Sequence, residues 1–373
     1  MRRTTLALLA TGVGVSLALT ACGANEAPSS GGTASEQPSS GGAKVGVILP
    51  ETATSARWEG FDRPMIKAAM EAEGLEADIQ NAQGDVQKFS QLADTMISSG
   101  VKVLVIGSIN SEVGSSVAAK AKAQGIPVID YDRLNLGGSS DYYVSFDNVK
   151  VGELQGQGMA EAMKGKPAGS QIIEIEGAPT DNNATLFHEG QQKILKPLYD
   201  AGTLKLVQSQ AIDNWDNQKG GQVFEQILTA NGGRVDGVVA ANDGLAGAVI
   251  TVLRKNALNG KVPVTGQDAT PDGLKAIVAG DQYMTVFKAI KKEAEATAKL
   301  AAALAKGDKA AADAIATGTT KDSKSGRDVK SVLAEPQLIT AKDVKVVVSE
   351  GYVKASEICT PELAAKCAEL GIS

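Results

Sequence analysis

From Lys44 onward the chain alternates short apolar runs with segments of helical spacing, and this alternation constrains its fold more than any other feature. Residues 44–50 read KVGVILP, 101–107 read VKVLVIG and 128–130 read VID. Continuous apolar runs of this kind suit strands covered on both faces. Residues 57–74, 85–99 and 112–124 have helical character. The first shows Met65, Ala68, Ala69 and Ala72 on one face and Gly74 as a stop; the second starts at Asp85, an N-cap. With strands at 77–80 and 142–146, the order is that of a doubly wound parallel sheet. A second series follows. Helices at 149–164, 184–200, 218–231, 245–256 and 272–279 alternate with strands at 171–176, 204–210, 236–241 and 262–266. The chain therefore holds two α/β units. A long amphipathic helix spans 289–306, the polar stretch 307–330 reads as a loop, and 332–339 and 344–348 read as short strands.

The N-terminus has a different character. Arg2 and Arg3 precede an apolar stretch, Leu6 to Leu19, that is short for a membrane span and leads into small residues. This reads as a secretory signal over 1–21. The sequence around Ala21-Cys22-Gly23 resembles the lipobox of bacterial lipoproteins, which implies cleavage before Cys22 and lipidation of its thiol. Residues 23–43 contain no Val, Ile, Leu or aromatic residue and cannot offset their ordering entropy by burial. They read as a flexible tether with a reach of roughly 25 Å. The chain is thus expected to be exported and lipid-anchored at the outer face of the cell membrane.

Charge excludes other classes. There are 37 basic and 43 acidic residues, a net of −6. No basic patch supports nucleic-acid binding. Cys359 and Cys367 lie near the C-terminus. In an exported protein they read as a local disulfide rather than a metal site, with two unpaired thiols as the alternative. His188 is the only histidine and reads as a surface residue of a helix. No metal site or cofactor is expected.

In open parallel sheets, ligands bind beyond the carboxyl ends of strands. The residues following successive strands are Arg57-Trp58, Tyr131-Asp132-Arg133, Asp181-Asn182-Asn183, Asp213-Asn214-Trp215, Asn242-Asp243, Gln267-Asp268 and Lys288. Each tip carries a charged or amide side chain, and the chain's two Trp both fall among them. Aromatic faces suit the C–H faces of a pyranose. Arg, Asp and Asn suit its hydroxyl edges, because together they supply both donors and acceptors. Taken singly, such tips also serve as helix caps, as Asp85 and Asp272 are expected to do. Asp132 and Asp268 could be read as the carboxyl pair of a glycosidase. Nearby cationic loop tips would depress both and disfavour a general acid. No nucleophile elbow, phosphate loop or zinc signature occurs, so an enzyme is not expected.

Several runs carry a resemblance. Arg57-Trp58, VKVLVIG, Tyr131-Asp132-Arg133, YYVSFDN at 142–148 with Val151-Gly152, DNNATLF at 181–187, ILKPLYDAG at 194–202, AND at 241–243, GQDA at 266–269 and MTVFK at 284–288 occur in this order. Over about 44–352 the chain resembles the periplasmic D-xylose-binding proteins and, next to them, the multiple-sugar-binding proteins. Both are type I periplasmic binding proteins of sugar ABC importers. The resemblance implies two α/β lobes joined by a three-strand hinge, with the sugar in the cleft. The N-terminal lobe would be 44–146 plus 288–336, and the C-terminal lobe 147–287 plus 337–373. It implies sugar contacts from Arg57, Trp58, Asp132 and Arg133 on the first lobe. From the second it implies Asp181, Asn182, Asn183, Trp215, Asn242 and Asp268, with Lys288 at a crossing.

The implied role is that of a monomer delivering a monosaccharide, D-xylose above others, to a permease, without covalent chemistry. Ser55-Ala56 looks more like the multiple-sugar proteins, whereas Ala241-Asn242-Asp243 looks more like the xylose proteins. A receptor for several aldoses, serving import or a chemosensory or sensor-kinase partner, is the alternative. The same fold serves sugar-responsive repressors, but an export signal stands here in place of a helix-turn-helix.

Overall fold

The computed structural model describes residues 42–373. The expected signal 1–21, Cys22 and nearly all of the tether lie outside the described residues. No helix among the described residues is long and apolar enough to cross a membrane.

The first half alternates as the sequence predicts. It runs β1 (Lys44–Leu49), α1 (Arg63–Ala72), β2 (Glu76–Asn81), α2 (Val86–Ser98), β3 (Val103–Ile106), α3 (Ser111–Ala123), β4 (Val128–Tyr131) and β5 (Tyr142–Phe146). The second series is α4 (Asn148–Ala162), β6 (Ser170–Glu176), α5 (Asn182–Asp200), β7 (Leu204–Ala211), α6 (Asn217–Ala230), β8 (Gly237–Ala240), α7 (Asp243–Lys255), α8 (Pro271–Ala279) and β9 (Thr285–Phe287). The chain ends with α9 (Ile290–Ala305), α10 (Lys309–Ile315), β10 (Gly318–Lys321), β11 (Asp328–Ala334), β12 (Gln337–Ile339), α11 (Val344–Ser349), α12 (Ala355–Ile358) and α13 (Ala364–Leu370).

Two helix-flanked parallel sheets result. The larger has the order β10-β11-β5-β4-β3-β1-β2, parallel except for the β10–β11 hairpin. The smaller has the order β7-β6-β8 and is parallel throughout. Strands β9 and β12 form an antiparallel ribbon. The chain passes between these systems near Asp147, at Lys288, and at Glu335-Pro336 between β11 and β12. Strands β1, β3, β4 and β5 are nearly all buried, as expected of strands covered on both faces.

Four local expectations need correction. Residues 344–348 form helix, not strand. A β-branched run reads as a strand, but the Thr340/Asp343 capping box starts a helix, and Val344 and Val347 are buried one turn apart. Within 307–330, Asp308 caps the Ala-rich α10, and β10 pairs with β11 as a sheet edge. Residues 262–266 make only one bridge, Val238↔Val264: Pro263 has no N–H to extend it on one side, and on the other the Ala240 amide donates to the Thr265 hydroxyl at 3.0 Å. Finally, Thr270 caps α8, and Asp272 sits exposed in the first turn paired with Lys275. Asp85 does cap α2. The structure joins Cys359 to Cys367 by a disulfide.

Candidate functional site

The site begins where β1 ends. Glu51 orders the loop, its carboxylate accepting from the amides of Ala53 and Thr54 at 2.7 Å each and Ser55 at 3.2 Å. The expected helix at 57–74 opens instead with a π-helical turn, Trp58–Asp62, before α1. Such turns are rare and concentrate at functional sites. Their five-residue spacing sets Arg57 and Asp62 on one face. Arg57 Nε and Nη2 donate to the two Asp62 oxygens at 2.9 and 2.7 Å. Its Nη1 donates to Asp132 at 2.6 Å and its Nη2 also reaches Glu293 on α9 at 3.2 Å. Tyr131 donates its hydroxyl to Asp62 at 2.7 Å.

This cluster is buried throughout, and its charges set one another. Burial works against the Arg57 cation, but Asp132, Asp62 and Glu293 outweigh it and hold the guanidinium charged. Burial would also raise Asp132. Arg57, Lys288 and Arg133 overcome that and hold its carboxyl down at about 2. Asp132 is therefore an obligate acceptor at neutral pH. Burial, then the charge of Asp132, push Glu293 well above the ordinary carboxyl range. Lys288 Nζ stands 3.1 Å from Asp268 and 3.8 Å from Asp132, bridging two loops.

The loops after the smaller sheet's strands close over the same space. Asp181 caps α5, accepting from the Asn183 amide at 2.9 Å, and its other oxygen accepts from Trp215 Nε1 at 3.1 Å. Arg133 Nε stands 2.9 Å from that oxygen. Asn183 donates from Nδ2 to the Asp132 carbonyl at 3.0 Å and carboxylate at 3.1 Å. Asn242 caps α7 through Oδ1, which leaves its Nδ2 free to donate. Capping and lining are thus not exclusive. The Trp58 ring lies under the Arg57 and Arg133 guanidinium groups at 4.5 and 5.3 Å. The Trp215 ring meets Phe187 edge-on at 6.4 Å.

Together these groups line one small, tightly closed cleft. Its lining includes Arg57, Trp58, Asp132, Arg133, Asp181, Asn183, Trp215, Asn242, Asp268 and Lys288. Asn182, the first residue of α5, is half-buried and does not line it. Glu51, Thr54, Ser55, Phe187 and Gln267 line it as well. Gln267 is already among the loop tips, and Phe187 ends the run DNNATLF about one helical turn after Asn183. Gly177 is a further requirement, because a Cβ there would fall on the Trp215 ring.

A family model described as a periplasmic binding protein domain matches residues 45–309. The chain belongs to this family. Among curated relatives of this binding protein, the D-xylose-binding periplasmic protein of Escherichia coli (strain K12) is 38% identical, over 84% of this chain and 92% of that protein. A multiple sugar-binding periplasmic protein of Azospirillum brasilense is 34% identical, over 83% and 89%. Among solved structures, a carbohydrate transporter solute binding protein from Chloroflexus aurantiacus in complex with D-glucose superposes with a TM-score of 0.77 at 30% identity, over 84% and 97%. The fold is the type I periplasmic binding protein fold, α/β with helices around parallel sheets.

Proposed function

We propose that this binding protein captures a monosaccharide, D-xylose above others, and delivers it to an ABC importer. One observation carries the reading. Loops from both sheets converge on one cleft that combines two Trp, an ionised Asp132 and donors from Arg133, Asn242 and Lys288. The rings suit the faces of a pyranose and the charged groups its hydroxyls. Arg57 spends most of its donors on carboxylates, so its part is to hold Asp132 in place. Residues 44–146 with 288–336 would act as one lobe and 147–287 with 337–373 as the other. The passages near Phe146, Lys288 and 334–336 would then be the hinge. The role needs no cofactor, no nucleic acid and no second copy of the chain.

The 38% identity to a D-xylose-binding protein supports the pentose. A receptor for several aldoses is the second reading. It is favoured by Ser55 on the cavity wall and by the D-glucose complex of the Chloroflexus protein. A thermal-melt panel of D-xylose, D-glucose, D-galactose, L-arabinose and D-ribose tests the class. Sugar at a hundred times its dissociation constant adds about 2.7 kcal/mol to stability, which lifts the melt by roughly 5 °C. No shift with any of the five would defeat the sugar reading.

The expected export signal and the lipobox-like sequence around Cys22 support delivery at the outer face of the cell membrane by a lipid-anchored protein. On this reading Cys22→Ala leaves the membrane fraction on cell fractionation, and its retention there would refute the anchor.

A further inference from the structure

A second cluster lies outside the cavity, beneath helix α5. Glu174 and Glu176 are two apart on β6 and so point to the same face of the strand. His188 on α5 comes down onto them, with Nδ1 at 3.5 Å from Glu176. One ligand atom from each of the three lies within 4.8 Å of the others. Glu174 is fully buried. One of its oxygens accepts from Gln192 and from the Tyr199 hydroxyl, both at 2.9 Å, but Oε2 has no partner. The contact to Glu176 is the only one recorded for His188 Nδ1 among the described residues. The Gln191 amide lies 2.7 Å from Glu176 Oε1. Among the described residues, no Lys or Arg pairs with either glutamate; the nearby Lys193 pairs with Glu153 and Glu189 instead.

Two carboxylates buried side by side, with the His188 imidazole as their nearest basic group and no Lys or Arg, are unusual, since buried charge is ordinarily paired or coordinates a metal. A cation between them would compensate both.

We infer that Glu174, Glu176 and His188 form a binding site for a divalent transition cation, with Zn²⁺ the ion their chemistry suits. An imidazole ligand selects zinc and its neighbours over calcium, which takes six to eight oxygens. Zinc bonds of about 2.0–2.2 Å require the three atoms to draw in by roughly 1 Å. His188 is the ligand best placed to supply that movement, because its side chain is 43% exposed while both glutamates are buried. The exposed side also provides the entry path and leaves a fourth position for water. The ion would pin α5 to β6. Those elements carry or flank Asp181, Asn183 and Phe187 of the cavity, so the site would brace one wall without touching the ligand. Sequence reading expects no metal, because His188 is the only histidine and no His/Cys cluster occurs.

The test uses the purified full chain, stripped with chelator, dialysed and titrated with ZnCl₂ by calorimetry, with bound metal counted by elemental analysis. One zinc per chain is expected, with a higher melting temperature. His188→Gln should weaken it at least tenfold and Glu174→Gln similarly. Cobalt substitution should give a visible d–d band in the wild type that His188→Gln lacks. Should Glu174→Gln fail to fold, the half-exposed His188→Gln still decides. No zinc above background, or equal binding by wild type and His188→Gln, overturns the inference.

Discussion

Asp132, Trp215 and Asp268 share a backbone property that no sequence pattern announces. Their φ angles are 63°, 56° and 95°, in the region that side chains other than glycine avoid. Each such residue costs of order 1–3 kcal/mol and persists only when its surroundings over-determine it. They do so here. The Asp132 amide donates to Val144 at 2.8 Å, and its carbonyl accepts from Tyr143, Ser145 and Asn183 at 2.8–3.0 Å. The Asp268 amide donates to Val286 at 2.9 Å. Beside this site, Asp243 is buried and accepts from the Thr270 amide, Gln282 and Thr285, each at 2.8 Å. Burial outweighs these bonds and pushes its carboxyl up to about 7. The folded state thus holds this proton more tightly than the unfolded chain, whose pKa is about 4. Its contribution to stability is complete below pH ~4 and is lost as pH rises through ~7. Asp243→Asn has no such proton. Its destabilisation relative to wild type should therefore be largest near pH 4 and shrink toward pH 7, by at most about 4 kcal/mol. Denaturant melts at both pH values measure this, and a pH-independent difference would contradict it.

At the scale of elements, helices α4 and α5 set the second half of the site. They approach closely because a Cβ on Gly152 would fall on the Phe187 carbonyl, and one on Gly190 on the Val149 carbonyl. Gly190→Ala must push the helices apart, with an expected loss of about 1–3 kcal/mol. Urea unfolding reads it, and an unchanged midpoint would count against this packing. Most elements were legible because apolar runs and helical spacing alternate clearly. The cap Asp85 marks a helix start through its side chain. What was illegible depended on tertiary context. The Val-rich 344–348 run is locally strand-like, yet its buried face is set by packing at one-turn spacing. The π turn after Arg57 follows from the carboxylates facing it, which lie at Asp132 and Glu293, far away in sequence. Ten of eleven proposed contact residues line one cavity because the tips of a doubly wound sheet converge, whatever the loops' lengths. Asn182 differs because helical geometry turns it away from its neighbours Asp181 and Asn183.

At the scale of the molecule, both sheets present their loops to one space, and contacts already cross it. Asn183 reaches Asp132, Arg133 reaches Asp181, and Asn217 donates to the Thr54 carbonyl at 3.2 Å. On the proposed reading, a ligand held by both sides at once would favour this closed arrangement over an open one, because only closure would complete its contacts. Recognition then depends on the whole cavity, and a ring face such as Trp215 should carry a large share of it. Isothermal titration of the purified protein and of Trp215→Ala with D-xylose measures this directly. The account predicts micromolar or tighter binding by the wild type and at least tenfold weaker binding by the variant, which still folds. No heat with the wild type, or equal affinity in both, would contradict it.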